Sequence, residues 1–305
     1  MVIAIVGPTA VGKTALSLKL ARELNGEIIS CDSMQIYRYM DIGTAKPTKE
    51  EMAETRHHLI DIKDPNECFS CADYALYARE AIRDIISRGK TPIFCGGTGL
   101  YLDSVLEIES FSSGVKDEAY RAELEEIAST RGNEFLHSML KEVDEKSAGE
   151  IHPNNTKRVI RALEIYKCTG KPKSVWDMES KSESKPYDAC VFFLTSKNRE
   201  LLVERIEKRV DIMLESGLLD EAKFLYENGY LKKEYTSYSA IGYKELIPYL
   251  DGSDTLQACV ERLKISSRQY AKRQLTWFGK KSDYNKIYID EQDAFETAIN
   301  ILRTK

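Results

Sequence analysis

The residues best suited to chemistry come first in the chain, as GPTAVGKT at positions 7–14. The glycines let backbone N–H groups turn inward around a phosphate, and the helix that starts here adds its positive end. Lys13 supplies a point charge, and the Thr14 hydroxyl is suited to Mg2+. Gly7, Pro8, Thr9, Ala10, Val11, Gly12, Lys13 and Thr14 are therefore the expected diphosphate- or nucleotide-binding set, with Thr14 as the metal ligand. Glycines that merely form a turn would leave Lys13-Thr14 unexplained.

The pattern is that of a P-loop, which specifies a polyphosphate but no reaction. An ATPase usually adds an aspartate at the end of a later apolar strand. Here the run 91–95 ends in Gly96-Gly97-Thr98 without an acid. The strand-end acid near the cradle is Asp32. In a parallel sheet, strand C-termini face the ligand crevice, so Asp32 is placed to accept a proton from a nucleophile. The plainer alternative is a turn cap with Ser33. Thr98 follows two glycines that allow close backbone approach, and its plainer role is also a turn. Arg205 and Arg209 are four apart: either a solvated pair, or an arginine aimed at the cradle to neutralise a departing pyrophosphate.

Two basic stretches stand out. Residues 262–282 carry seven Lys or Arg and no acid, with Lys264, Arg268 and Lys272 on one helical face, Arg273 beside them, and Tyr270, Trp277 and Phe278 interleaved. Residues 154–173 carry six Lys or Arg and one Glu. There Lys157, Arg158 and Arg161 share a face, opposite Val159, Ala162, Leu163 and Tyr166. Each is either a track for a nucleic-acid backbone or an ordinary solvated surface. Patches on two lobes would make a cleft suited to a folded RNA.

The elements that must position these residues alternate at first. Strands are expected at 2–6, 27–31, 58–62 and 91–95. Between them come a helix at 14–24 stopping at Asn25-Gly26, a capping box Thr48/Glu51, and a helix from Ser70/Asp73 ended by Gly89. This order predicts an α/β fold, a P-loop NTPase-like parallel sheet wrapped by helices. From about Phe111 to Pro186 only helical periodicity appears, closing in the polar run SKSESKP (180–186). Strand-like 189–195, helices 199–216 and 254–278, and a strand at 286–289 then follow. The expected organisation is a catalytic core of 1–113 and 188–305 with an all-helical insertion at 114–187.

The 305 residues are 42% hydrophobic and 30% charged, as in a soluble globular protein, and the net charge of −5 restricts any nucleic-acid role to local patches. Cysteines number seven, and Cys31, Cys95 and Cys190 lie in or beside strand-like runs, which suggests buried reduced thiols. Cys68-x-x-Cys71 has no second pair at zinc spacing and reads as a helix start. Five apolar residues before Gly7 are too few for a signal or membrane span, so a cytoplasmic protein away from membranes is expected.

Together the motifs resemble one family, the tRNA dimethylallyltransferases or tRNA isopentenyltransferases. The resemblance is carried by GPTAVGKT (7–14), CDSMQIYRYMDIGTAKP (31–47), HHLIDIKDP (57–65), GGTGLYLDSVL (96–106), HPNNTKRVIRALEIYKCTGK (152–171), RIEKRVDIMLESGLLDE (205–221), AIGYKEL (240–246) and AKRQLTWF (271–278). It runs nearly end to end. The zinc finger that follows in eukaryotic members is missing, which points to the bacterial type. Gly99 departs from the pattern, where many bacterial members carry a bulkier residue.

The family transfers a dimethylallyl group from dimethylallyl diphosphate to N6 of adenosine 37 in tRNA. The resemblance implies that the cradle holds a prenyl diphosphate and that Asp32 accepts the N6 proton. Thr98 and Arg209, with Arg205 as the neighbouring alternative, would stabilise the leaving diphosphate beside Lys13 and Mg2+. Asp32, Ser33, Met34, Gln35 and Thr98 would meet the flipped adenosine. Arg121, Lys157, Arg158, Val159, Ile160, Arg161, Gly242, Tyr243 and Lys244 match tRNA-contacting positions. A monomer is expected. The rivals are an adenylate isopentenyltransferase, a small-molecule P-loop kinase and a nucleotide-gated RNA-binding module. The insertion and the basic stripe favour tRNA, because a mononucleotide needs neither.

Overall fold

Five consecutive apolar residues, Val2–Val6, form β1, and all five are buried. Such an unbroken run suits a strand covered on both faces, as in a parallel sheet. The computed structural model describes residues 1–106, 117–179 and 186–304. After β1 come α1 (Lys13–Glu23), β2 (Gly26–Ser30), α2 (Lys49–Glu54), β3 (His57–His58), α3 (Cys71–Ser87), β4 (Thr91–Gly96) and α4 (Gly99–Leu106). Then follow α5 (Glu118–Arg131), α6 (Asn133–Val143), α7 (Glu145–Glu150), α8 (Thr156–Thr169) and α9 (Lys173–Glu179). The chain closes with β5 (Ala189–Thr195), α10 (Arg199–Glu215), α11 (Leu218–Glu227), α12 (Ile247–Leu250), α13 (Leu256–Gly279), β6 (Asn285–Tyr288) and α14 (Ala294–Arg303).

The six strands form one sheet in the order β3-β2-β4-β1-β5-β6, and every pairing is parallel. β1 is therefore flanked by β4 and β5, with Ile3 opposite both Ile93 and Cys190. Its C-terminal end opens beside the ends of β2 and β4, where a parallel sheet leaves a crevice. The core beneath is apolar: Ile3, Ile5, Leu20, Phe192 and Ile287 are buried there.

Contacts divide the chain into Met1–Leu106 with Tyr187–Lys305, and Glu107–Pro186. The sequence boundary at 114 and the polar run 180–185 lie outside the described residues. The second unit holds α5–α9 around its own core of Leu124, Leu136, Leu140, Val159 and Leu163. Among the described residues no helix is long and apolar enough to cross a membrane.

Two local expectations need correction. The strand expected at 58–62 is only His57–His58, because Leu59 (φ 62°) and Asp61 (φ 56°) leave the extended region. Ile62 instead donates its N–H to the Ile36 carbonyl at 2.9 Å, so the segment props the loop after β2. Tyr166, expected with the apolar face of α8, is exposed. Cys71 begins α3 behind the Ser70/Asp73 capping box, as a helix start requires. The His58–Glu27–Asp84 cluster could in principle share an ion, but Arg88 and Lys90 already bond the buried Glu27 carboxylate.

Candidate active site

The loop between β1 and α1 needs glycine for two reasons. Gly7 has φ 144°, and a Cβ there would lie 2.2 Å from the Leu194 carbonyl of β5. Gly12 (φ 85°) is the left-handed N-cap of α1. The loop bends back so that Lys13 Nζ donates to the Pro8 carbonyl at 2.7 Å. Burial lowers the Lys13 pKa to about 8. Thr9, Ala10, Gly12, Lys13 and Thr14 line a cavity of about 580 Å3. Gly7, Pro8 and Val11 do not, and Val11 packs in the core instead.

At the end of β2 the chain passes close to the end of β4. A Cβ on Gly96 would sit 2.1 Å from the Cys31 carbonyl, so only glycine fits. Thr98 N–H donates to that carbonyl (3.0 Å), and Ser33 N–H donates to the Thr98 hydroxyl (3.1 Å). These bonds bracket Asp32 on both sides. Asp32 lines the cavity, and its Oδ1 accepts the Met34 N–H at 2.9 Å. Burial raises its pKa, opposed by the Met34 hydrogen bond and the nearby Lys13. Asp32 thus has the setting of a base: enclosed, close to two cations, and forming no ion pair among the described residues. Thr98 itself stands just outside the cavity lining.

Of the two candidate arginines on α10, Arg209 lines the cavity and Arg205 is exposed. Arg209 Nε is buried with no hydrogen-bond partner among the described residues. Its pKa is lowered by burial and raised again by Asp32. A desolvated guanidinium without a carboxylate is suited to a ligand anion.

Other expected residues behave differently. Ser33, Met34, Gln35, Gly242 and Lys244 line the cavity. The Gln35 amide faces inward, however, accepting from Ser30 Oγ (2.8 Å) and donating to the Thr44 carbonyl (3.2 Å). Tyr243 is fully buried, with its ring against Gly43 and its hydroxyl on Glu221 at 2.7 Å, so it braces a loop and presents nothing to an RNA. Val159 and Ile160 are core residues of the helical unit, whereas Lys157 and Arg158 are exposed. Arg121 and Arg161 both bond the buried Glu164.

The basic stripe on α13 also needs revision. Lys264 pairs with Asp211 at 2.7 Å and Arg268 with Glu207, both on α10. Lys272 is exposed, while Arg273 reaches the cavity. The face that serves the site is Ser267, Tyr270, Arg273 and Gln274, which line the cavity one helical turn after another. Burial raises the pKa of the Tyr270 hydroxyl, and the nearby Thr98 opposes the shift. Gln274 was not singled out from the sequence, and Tyr270 was named only as an aromatic interleaved in the basic stripe; their i,i+4 spacing was the signal that both face the site.

Glu221, at the start of α11, was also missed. Its carboxylate accepts from the backbone N–H groups of Asp41 (3.0 Å), Ile42 (3.0 Å) and Gly43 (3.1 Å). Gly43, Thr44 and Ala45 then form part of the cavity wall. Glu221→Ala removes these charge-assisted bonds and is expected to cost about 1.5–3 kcal/mol of stability, measured by urea unfolding. Glu221→Gln, which keeps an acceptor, should lose less.

A family model described as IPP transferase matches residues 35–281. A tRNA dimethylallyltransferase of Bacillus cytotoxicus is 51% identical over 99% of this chain and 93% of its own length. The crystal structure of the full-length tRNA isopentenylpyrophosphate transferase from Bacillus halodurans is 48% identical, with a TM-score of 0.72, covering 99% of this chain and 94% of that one. A eukaryotic dimethylallyltransferase, in crystallographic snapshots of its action on tRNA, gives a TM-score of 0.85 at 34% identity over 98% of this chain and 77% of that one.

Proposed function

This chain belongs to the IPP transferase family, and on that premise we propose how its cavity transfers a dimethylallyl group to tRNA. The donor is dimethylallyl diphosphate, and the acceptor is N6 of adenosine 37, giving N6-(dimethylallyl)adenosine. The observation that carries this reading is the shared cavity of Lys13, Asp32 and Arg209, a carboxylate with two cations near it.

Loop N–H groups and Lys13 grip the diphosphate, while Ile206, Val210, Met213 and Leu263 offer the allylic tail an apolar wall. The N6 lone pair forms a bond to the allylic C1. The C1–O bond breaks, its electron pair leaves with the diphosphate, and the N6 proton passes to Asp32. The allylic carbon gains positive charge as the diphosphate departs, so stabilisation belongs at the phosphate end, where Lys13 and Arg209 act and Thr98, just beyond the lining, is the further residue assigned. The oxygen donors at Thr14 fit Mg2+, which is usually held by one or two protein oxygens plus phosphates. Bound there, it would neutralise the diphosphate charge. The adenosine must leave its stack, which a single-stranded anticodon loop makes inexpensive. The exposed Lys157 and Arg158 are the residues of the helical unit assigned to the tRNA backbone.

The test is mass spectrometry of tRNA nucleosides after incubation with dimethylallyl diphosphate, with and without the protein, alongside labelled ATP. The modified adenosine is expected only with the prenyl donor. Phosphate transfer from ATP, or an unchanged nucleoside, rejects the reading.

A pH dependence follows from Asp32. Its raised pKa means the base form is lost as pH falls, and lost at a higher pH than for an ordinary carboxylate near 3.8. kcat/KM should therefore decline on the acid side above that value. In Asp32→Asn the residual rate should lose this limb.

A further inference from the structure

The Gln274 side chain, 95% buried on α13, touches both halves of the diphosphate cradle. Its Oε1 accepts the Thr9 N–H of the loop at 3.0 Å. Its Nε2 donates to the Gly97 carbonyl at 3.1 Å, one residue before Thr98. The approach is so close that a Cβ on Gly97 would lie 1.9 Å from Nε2. The two partners have fixed and opposite senses, a donor at residue 9 and an acceptor at residue 97. A primary amide satisfies both with one rigid plane, whereas an ionised carboxylate of the same shape has no donor.

We propose that Gln274 is a positioning residue for the transfer reaction, setting the spacing between the phosphate loop and the Thr98 segment. It touches no reacting atom. It also holds the Thr9 N–H out of the anion nest, leaving the N–H groups that follow to face the phosphate. Tyr270, one turn earlier on the same helix, lines the same cavity. The inference rests on the reading of the cavity as a diphosphate site.

The experiment titrates inorganic pyrophosphate, with Mg2+, into the full chain by calorimetry at pH 8 and pH 6. Each variant is compared with wild type at the same pH. That ratio cancels the contribution of the charged and ionisable groups lining the same cavity, Lys13, Asp32, Glu51, His57, Cys95, Arg209, Lys244, Tyr270 and Arg273. Gln274→Glu has nearly the same shape, but when ionised it has no donor for Gly97. It should bind about 10–100-fold more weakly at pH 8. Burial at this position favours the neutral carboxyl, so binding should recover towards wild type at pH 6 as the protonated form regains an O–H donor, and that recovery also shows an intact fold. Gln274→Met has neither donor nor acceptor and should stay weak at both values. Two results overturn the proposal: Gln274→Glu equal to wild type at pH 8, or Gln274→Met binding as wild type does, which would reduce the glutamate effect to charge repulsion. Failure of the wild type to bind pyrophosphate would instead overturn the diphosphate reading itself.

Discussion

Replacing Asp32 by alanine is expected to lower the rate of dimethylallyl transfer by about 10²–10⁴-fold, the range for loss of a positioned acid–base group, while tRNA binding is largely kept. An exocyclic adenine amine is a poor nucleophile, and a proton acceptor beside it matters most as the new bond forms. Asp32 is placed for this by three backbone contacts: the Met34 N–H on its own carboxylate, and the Thr98 bonds to residues 31 and 33 on either side. Asp32→Asn separates positioning from chemistry, because the amide oxygen can still accept from Met34 but cannot take a proton. It should fall as far as alanine does. Single-turnover rates on tRNA measure the first quantity and filter binding the second. Near-wild-type turnover in either variant rejects the assignment.

The second large effect is expected at Arg209. Arg209→Ala should reduce kcat by about 10²–10³-fold, as for removal of one preorganised donor to a developing anion. Arg205→Ala, four residues earlier, should stay close to wild type. The sequence could not choose between them, since both lie in RIEKRVDIMLE with the same helical spacing. The fold does: Arg205 is exposed, whereas Arg209 lines the cavity with a buried, unbonded Nε. Arg209→Lys keeps the charge but loses the fork that matches phosphate oxygens, so it should recover only part of the loss. Steady-state kinetics on both single variants decide the matter. Equal losses at the two positions would show that only the summed charge of α10 counts.

What could be read from the chain follows a physical line. The phosphate loop and Asp32 were legible because both sit at strand ends, where an apolar run stops and a chemically distinctive residue begins. The parallel sheet was legible for the same reason. Tertiary pairing was not. Lys264 and Arg268 share a helical face, but spacing within α13 cannot reveal that Asp211 and Glu207 of α10 face them. Val159, Ile160 and Tyr243 sit in motif stretches, and only packing shows that their side chains are core. The strand at β3 was overextended because the chain turns at Leu59, a residue that ordinarily avoids positive φ, before Asp61 does the same. Glu221 and Gln274 were passed over because a lone acid or amide on a helix has no signature until its backbone partners arrive.

The pairing of β1 on both edges has a consequence for biosynthesis. The anion-binding loop is encoded within the first fourteen residues, yet β1 gains its second neighbour only with β5, and Gly7 rests against Leu194. A ribosome must therefore extrude nearly two-thirds of the protein before the sheet closes around this loop, and most of α13 before Gln274 can brace it. A polypeptide released early would carry the whole motif as a string of letters and no competent nest. The earliest part of the message is among the last to mature.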